Sequence, residues 1–314
     1  MVAGVLITRR DTMVKFIISS VPAKLTEALA AYSKTSTVEA EYGEVVVEGT
    51  VRTRAHHGSR KANPCPCLAA NVAEEDRPEI VGGSHFDLDA LGGYLAEIGQ
   101  KPEAPGFWQL AAFVDTNGPH KLAQSGAADA DIHRLHGYWA WAQLPANRVM
   151  PPRDGSIIDV TDKAMEAKSI IERLLGDDAE LLAAGVAMKQ GEDALNKDSF
   201  LECRGDVVIR KADAFTNHLY TCPDGTVCGA VVALNMKLGG VTVSLAEPMP
   251  GVSCRAIVQS VWTDKDEKGQ LLAGGHEGIA GSPRHRPMTE EDLEAAATAT
   301  VVALDRVKGS LNIF

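Results

Sequence analysis

At 314 residues, with 45% hydrophobic and 23% charged residues, the chain has ordinary globular composition and enough length for two domains. Its formal net charge of −11 is spread without a long acidic block, which disfavours an extended nucleic-acid partner and leaves room for a small anionic ligand in a local basic pocket. The six cysteines (Cys65, Cys67, Cys203, Cys222, Cys228, Cys254) are too sparse for a disulfide scaffold, and no apolar run reaches membrane-spanning length. The expectation is therefore reduced thiols, a cytoplasmic location and no membrane partner.

In chain order, the β-branched run at Val14 to Ile18 is too short for a signal-peptide core and reads as a strand, followed by a helix over Ala23 to Ser33. Alternation from Val38 to Arg54 around Tyr42-Gly43 predicts a β-hairpin. Residues Ala55 to Cys67 form a polar loop loaded with His56, His57, Arg60, Lys61 and two cysteines, either a plain surface loop or the rim of a site. A short strand over Pro78 to Val81 then leads through Gly82-Gly83 into Ser84-His85 and a helix from Ala90 to Ile98. Phe107 to Val114 reads as a strand delivering Asp115, and Ala128 to Gln143 as a helix. A long helical pattern covers Thr161 to Lys189, with a polar stretch at Gly191 to Ser199 marking the domain junction. Strands are expected at Asp206 to Arg210, Val227 to Asn235, Val241 to Leu245 and Ala256 to Val261, with a last helix from Glu290 to Val307.

This pattern predicts an α/β protein of two domains. The N-terminal one is Rossmann-like, with a mainly parallel sheet and helices, over residues 1–160; a helical linker spans 161–199; a smaller α+β C-terminal domain fills 200–314, with a cleft between the domains.

Three potential ligands fall within five residues in His85-x-Asp87-x-Asp89. In extended backbone, alternate side chains share a face and could meet one cation, whereas a single helix cap would need only one of the acids. Asp115 could add a carboxylate shared by two ions, or could merely cap an Asx-type turn before Gly118-Pro119. Carboxylate with imidazole suits Mn²⁺ or Zn²⁺, and carboxylate alone Mg²⁺. His133 and His136 lie three apart on a helix beside Tyr138, Trp139 and Trp141, which either wall a base or sugar or simply belong to the core. In the C-terminal region, glycines flank His276 in Gly274-Gly275-His276-Glu277-Gly278, and Arg284 and Arg286 follow, a composition that suits binding of an anionic substrate group.

Asp87-x-Asp89-Ala90-Leu91-Gly92 resembles the first metal motif of the DHH phosphoesterase superfamily, and Gly274-Gly275-His276-x-x-x-Ala280-Gly281 resembles the GGH motif of its associated C-terminal domain. The resemblance implies a metal-dependent phosphoesterase with one or two Mn²⁺ or Mg²⁺ ions, Zn²⁺ being an alternative, acting on a small phosphorylated or nucleotide-like substrate, with a homodimer as one possible assembly. It implies that His85, Asp87, Asp89 and Asp115 hold metal, Asp115 being the strand-end aspartate that bridges two ions. Asp89, His120 and His136 are the candidate catalytic residues, and Gly274, Gly275, His276, Arg284, His57 and Arg60 the candidate substrate contacts.

Two other readings stay open. The segment from Ser84-His85 to Ala96 is also similar to the metal motif of LmbE-type zinc-dependent N-deacetylases, in which two histidines and an aspartate hold one zinc. No Asp-His-His triplet occurs in the sequence, Ala55-His56-His57 and the helix from Asp131 to His136 being the nearest candidates, which keeps open a non-catalytic metal- or nucleotide-binding protein on the same fold.

Overall fold

Residues 13–152 and 154–311 are described by the computed structural model, a mixed α/β chain with a five-stranded and a six-stranded sheet. The chain divides into a first unit, Met1–Met188, and a second, Lys189–Phe314.

The first unit begins with β1 (Lys15–Ile18) and α1 (Pro22–Leu29), where Pro22 suits the opening turn because its missing N–H has no helical partner there. After β2 (Thr35–Val38) the chain makes a two-rung hairpin of β3 (Glu41–Tyr42) and β4 (Val45–Val46), turning at Gly43 with φ 69°, and returns as β5 (Arg52–Arg54). Then come β6 (Ile80–Gly83), α2 (Leu88–Glu97), α3 (Pro105–Asn117), α4 (Asp129–Ala142), the edge strand β7 (Ile158–Asp159) and α5 (Thr161–Leu175). The sheet order is β5-β2-β6-β1-β7, parallel throughout except for β7. Alternate strand residues serve opposite faces: Phe16, Ile18 and Val81 join the core beneath α2 to α5, while Ile17 and Ile80 meet Leu25 and Leu29 of α1.

Several expectations are corrected. Val38 and Arg54 are not opposite ends of one hairpin: Val38 pairs with Arg54 in a parallel ladder, and only the residues around Tyr42-Gly43 form the hairpin. Phe107 to Val114 is helical, not extended. Pro105 opens α3, and Phe107, Leu110, Ala111 and Val114 repeat at helical spacing, so Asp115 lies in the last turn of a helix. The pattern from Thr161 to Lys189 is two helices broken at Gly176-Asp177, where Asp177 has φ 58°. The first of these is no linker, since Ala164, Ala167, Ile171 and Leu174 are fully buried in the first core. The polar stretch Gly191 to Ser199 is mostly the end of α6 (Ala179–Asp198).

The second unit holds β8 (Phe200–Arg204), β9 (Val207–Ala212), β10 (Ala230–Asn235), β11 (Gly240–Leu245), α7 (Cys254–Val261), β12 (Gly274–Gly275), β13 (Ile279–Gly281) and α8 (Glu290–Leu311). Its sheet runs β12-β13-β11-β10-β9-β8, with β9 and β10 parallel and the other neighbours antiparallel. The strand expected at Ala256 to Val261 is helix α7: Ser253 accepts the Ala256 N–H at its start, and Cys254, Ile257, Val258 and Val261 form a helical stripe toward the core. Cysteines expected to be reduced include one bonded pair, Cys203–Cys222.

Among the described residues no helix is long and apolar enough to cross a membrane.

Candidate metal centre

Parallel strands bring their carboxy-terminal ends to one edge of a sheet, and three neighbours here each deliver acid or imidazole to that edge. Glu39 follows β2, His56 and His57 follow β5, and Ser84 and His85 follow β6. Glu39 is fully buried and has φ 49°, a left-handed backbone that a residue with a Cβ rarely adopts. Neighbours over-determine that conformation: the Glu39 N–H donates to the Arg54 carbonyl at 2.8 Å, and its own carbonyl accepts from the N–H and the hydroxyl of Ser84.

The side chains converge. His56 Nε2 stands 2.6 Å from Glu39 Oε1, 3.1 Å from Asp115 Oδ2 and 3.2 Å from Asp89 Oδ2. His57 Nε2 is 3.3 Å from Glu39 Oε1 and 3.8 Å from Asp115 Oδ2. On the other side His85 Nε2 lies 2.8 Å from Glu39 Oε2 and 3.0 Å from Asp87 Oδ2. Cys65 Sγ completes the group at 3.5 Å from His56 Nδ1.

Hydrogen bonds to the backbone hold these residues in place. Glu41 Oε1 accepts the backbone N–H groups of both His56 and His57, fixing the turn that carries the pair. Asp87 is a helix cap as well as a member of the cluster, with Oδ1 accepting the Ala90 N–H while Oδ2 faces His85. Asp89 Oδ1 accepts the Cys67 N–H, leaving Oδ2 toward His56.

That last bond depends on close packing between α2 and the Cys65-Pro66-Cys67 turn. A Cβ on Gly92 would stand 2.5 Å from Cys67 Cβ, and one on Gly93 2.7 Å from Pro66 Cβ. Gly92→Ala is accordingly expected to destabilise the protein, because overpacking of about 1–3 kcal/mol outweighs the ~1 kcal/mol that alanine gains in a helix. A urea midpoint no lower than wild type would contradict this.

Charge on the metal-free cluster is frustrated. Burial opposes ionisation of Glu39, but His56, His57 and His85 outweigh it and hold that carboxyl well below the usual range. Burial, reinforced by the Glu39 charge and opposed by His56, raises Asp89 to about 6. Burial works against a charged His85, yet Asp87 and Glu39 lift it to about 10. The buried oxygens Glu39 Oε2, Asp89 Oδ2 and Asp115 Oδ2 make no well-aligned hydrogen bond and instead face His85 Nε2 at 2.8 Å and His56 Nε2 at 3.2 and 3.1 Å. Buried carboxylates crowded against imidazoles are a donor set that fits a divalent cation.

Ligand atoms fall into three overlapping sets, each within 4.8 Å: Glu39, His56, His57 and Asp115; His56, Cys65, Asp89 and Asp115; and Glu39, His85 and Asp87. Glu39 belongs to two sets and turns one oxygen to each. Asp115, expected to bridge two ions, likewise belongs to two sets, and Glu39, which turns a different oxygen to each of its own, is a residue that the sequence reading passed over. His57, expected to touch substrate, stands in the cluster and lines the cavity beside it. Among the described residues His120 and His136 belong to none of the three sets. His120 lies in the short turn after α3 with its ring against Gly118, and His136 is buried with its ring edge-on to Trp139. Tyr138 and Trp141 are core residues rather than walls of a ligand pocket.

A cavity of about 500 Å³ opens beside the cluster, lined by His56, His57, Lys61, Asn63, Asp115 and Asn117 among others. Lys61 lines this cavity, and Arg60, expected to touch substrate, pairs with Glu48 at 2.5 Å. In the second unit, Gly274, Gly275, Ser282, Arg284 and His285 line a separate cavity of about 810 Å³. His276 sits in the exposed turn joining β12 to β13, its N–H donating to the Ile279 carbonyl, and does not line that cavity. Arg286 forms a two-bond pair with Asp292 at 2.9 and 3.0 Å.

No family model matches the chain, and no curated protein matches it either. Among solved structures, the crystal structure of an uncharacterized protein from Helicobacter pylori G27 is similar at 10% identity over 90% of this chain and 88% of that one, with a TM-score of 0.22. Likeness at that level carries no argument about fold or function.

Proposed function

We propose that the chain is a metal-dependent hydrolase, a phosphoesterase acting on a small phosphorylated or nucleotide-like substrate, with its reaction centre at the carboxy edge of the first sheet. One observation carries the reading: the two carboxylate oxygens of buried Glu39 face two different ligand sets, as a carboxylate shared by two ions would. The mixture of carboxylates and imidazoles suits Mn²⁺ or Zn²⁺ better than Mg²⁺, which favours oxygen ligands alone. Divalent ions there would supply an activated water and charge neutralisation at a phosphoryl group. The protein's own part is to fix the ligands through the strained turn at Glu39, the Glu41 bonds and the Asp87 cap, and to offer Lys61 to an anion in the adjoining cavity.

The motif resemblance supports the same reading. His56-His57, with Ala55 where the DHH triplet has an aspartate, stands within the cluster beside Asp87 and Asp89. We place the activity in the cytoplasm, where buried thiols such as Cys65 and Cys67 stay reduced.

Metal analysis decides the matter together with hydrolysis of bis-p-nitrophenyl phosphate. Wild type is expected to carry two ions per chain, while Asp87→Ala and Asp89→Ala each lose metal and hydrolysis but remain folded. Wild-type metal content in both variants would sink the proposal. One tightly held zinc with amide hydrolysis would favour the deacetylase reading, and metal without hydrolysis the binding-protein reading.

A further inference from the structure

The second unit gathers three sulfurs, two of them six residues apart and the third 19 residues before them. Cys222 and Cys228 lie on the two arms of a turn through Pro223-Asp224-Gly225, closed by the Thr221–Val227 bridge and by hydrogen bonds from Cys222 N to Thr226 O and from Cys228 N to Tyr220 O. In that register the two cysteines are diagonal neighbours, and Sγ to Sγ is 3.5 Å. Cys203, on the edge strand β8, brings its sulfur to 3.9 Å from Cys228 and into bonding contact with Cys222. We propose that Cys203, Cys222 and Cys228 together form a soft-metal site of the zinc-thiolate class, with the Cys203–Cys222 bond as its oxidised, metal-free state.

Geometry supports it. Two thiolates on one tetrahedral zinc stand about 3.8 Å apart, as a Zn–S bond of about 2.3 Å requires, and the third sulfur meets its neighbours at 3.5 and 3.9 Å. The Cys203 and Cys222 Cα atoms are 7.0 Å apart, beyond the ~4.4–6.8 Å usual for a direct bond, so a bridging ion suits this pair.

Charge supports it independently. Arg210 of β9 is fully buried, and its donors go to neutral oxygens of Asn196, Ser199, Leu219 and Thr221. Among the described residues no carboxylate pairs with it. A buried cation requires an anion, and three thiolates on Zn²⁺ carry one net negative charge. Thr221, which accepts from Arg210, directly precedes Cys222 in the chain, and a negative charge at Cys228 would favour the guanidinium. Three protein ligands leave the fourth position to water.

Loading the site requires a dithiol reductant, which gives two electrons and two protons to the Cys203–Cys222 bond and becomes a disulfide itself. Zinc then replaces the protons of three thiols.

The test uses the full chain, reduced with dithiothreitol, freed of it anaerobically, and alkylated with iodoacetamide with and without Zn²⁺ alone, each cysteine being followed by peptide mass mapping. This readout separates the three thiols from Cys65 in the first unit. Zinc is expected to slow alkylation of exposed Cys203 at least tenfold, and Cys228→Ser to abolish that protection. Should Cys228→Ser prove unfolded by circular dichroism, Cys222→Ser serves in its place. Equal reactivity of Cys203 with and without zinc, or full protection surviving in the folded variant, would overturn the proposal.

Discussion

Glu39→Gln is expected to lose metal as fully as Asp87→Ala or Asp89→Ala and to reduce hydrolysis by a factor on the order of 10²–10³, the scale on which losing one charge-stabilising group registers. The expectation follows from position. Asp87 belongs to one ligand set and Asp89 to another, whereas Glu39 serves two and touches all three histidines of the cluster. Glutamine preserves size and offers one oxygen, but it removes the negative charge that would compensate two cations and points a donor at an imidazole or an ion. Glu39→Gly separates chemistry from backbone: it removes the side chain while relieving the positive φ, so any loss of metal cannot be attributed to new strain. Inductively coupled plasma analysis of both variants is the measurement. If either retained two ions, the bridging position would belong elsewhere, Asp115 being the next choice.

Much of this centre was legible because its ligands sit in short motifs. His85, Asp87 and Asp89 follow a strand and open a helix, and the cap that Asp87 makes does not exclude a ligand reading, because a carboxylate has an oxygen for each. Glu39 was not legible, for a topological reason. Reading Val38 to Arg54 as a single hairpin turns β2 and β5 antiparallel and sends Glu39 and His56 to opposite edges of the sheet. The parallel ladder, with its small hairpin excursion between the strands, brings them to the same edge. Asp115 was expected at a strand end, but Phe107, Leu110, Ala111 and Val114 at helical spacing make it a helix-end residue. The same mistaken period turned α7 into a strand. In the second unit Arg284 lines a cavity, whereas His276 was chosen from its glycine neighbours, and those glycines shape a hairpin turn beside that cavity.

Glu97→Ala is expected to destabilise the first unit by about 3 kcal/mol, the lower end of the range for stripping one partner from a buried ion pair, and to weaken metal binding although Glu97 touches no ligand. Its carboxylate is fully buried at the C-terminal end of α2, accepting from Arg52 Nε at 2.8 Å, Arg54 Nε at 2.6 Å and Ser36 Oγ at 2.6 Å. Those partners lie on β5 and β2, the two strands that end at His56 and Glu39, while the opposite end of α2 carries Asp87 and Asp89. One helix therefore clamps the strands at its far end and presents ligands at its near end. Without Glu97 the guanidinium groups of Arg52 and Arg54 repel each other across β5. They are about a quarter exposed, so water recovers part of the loss and the cost stays near the lower figure. Glu97→Gln keeps the shape and the Ser36 bond and should lose less. The urea midpoint in the presence of chelator reads the first effect, and zinc affinity by competition with a chromogenic chelator reads the second. A loose clamp should cost affinity roughly tenfold to a hundredfold, as loss of a residue supporting the ligands commonly does. An unchanged midpoint would show that the buried pair is replaced by packing. An unchanged affinity with a lowered midpoint would show that the ligand edge of the sheet holds its geometry without the clamp.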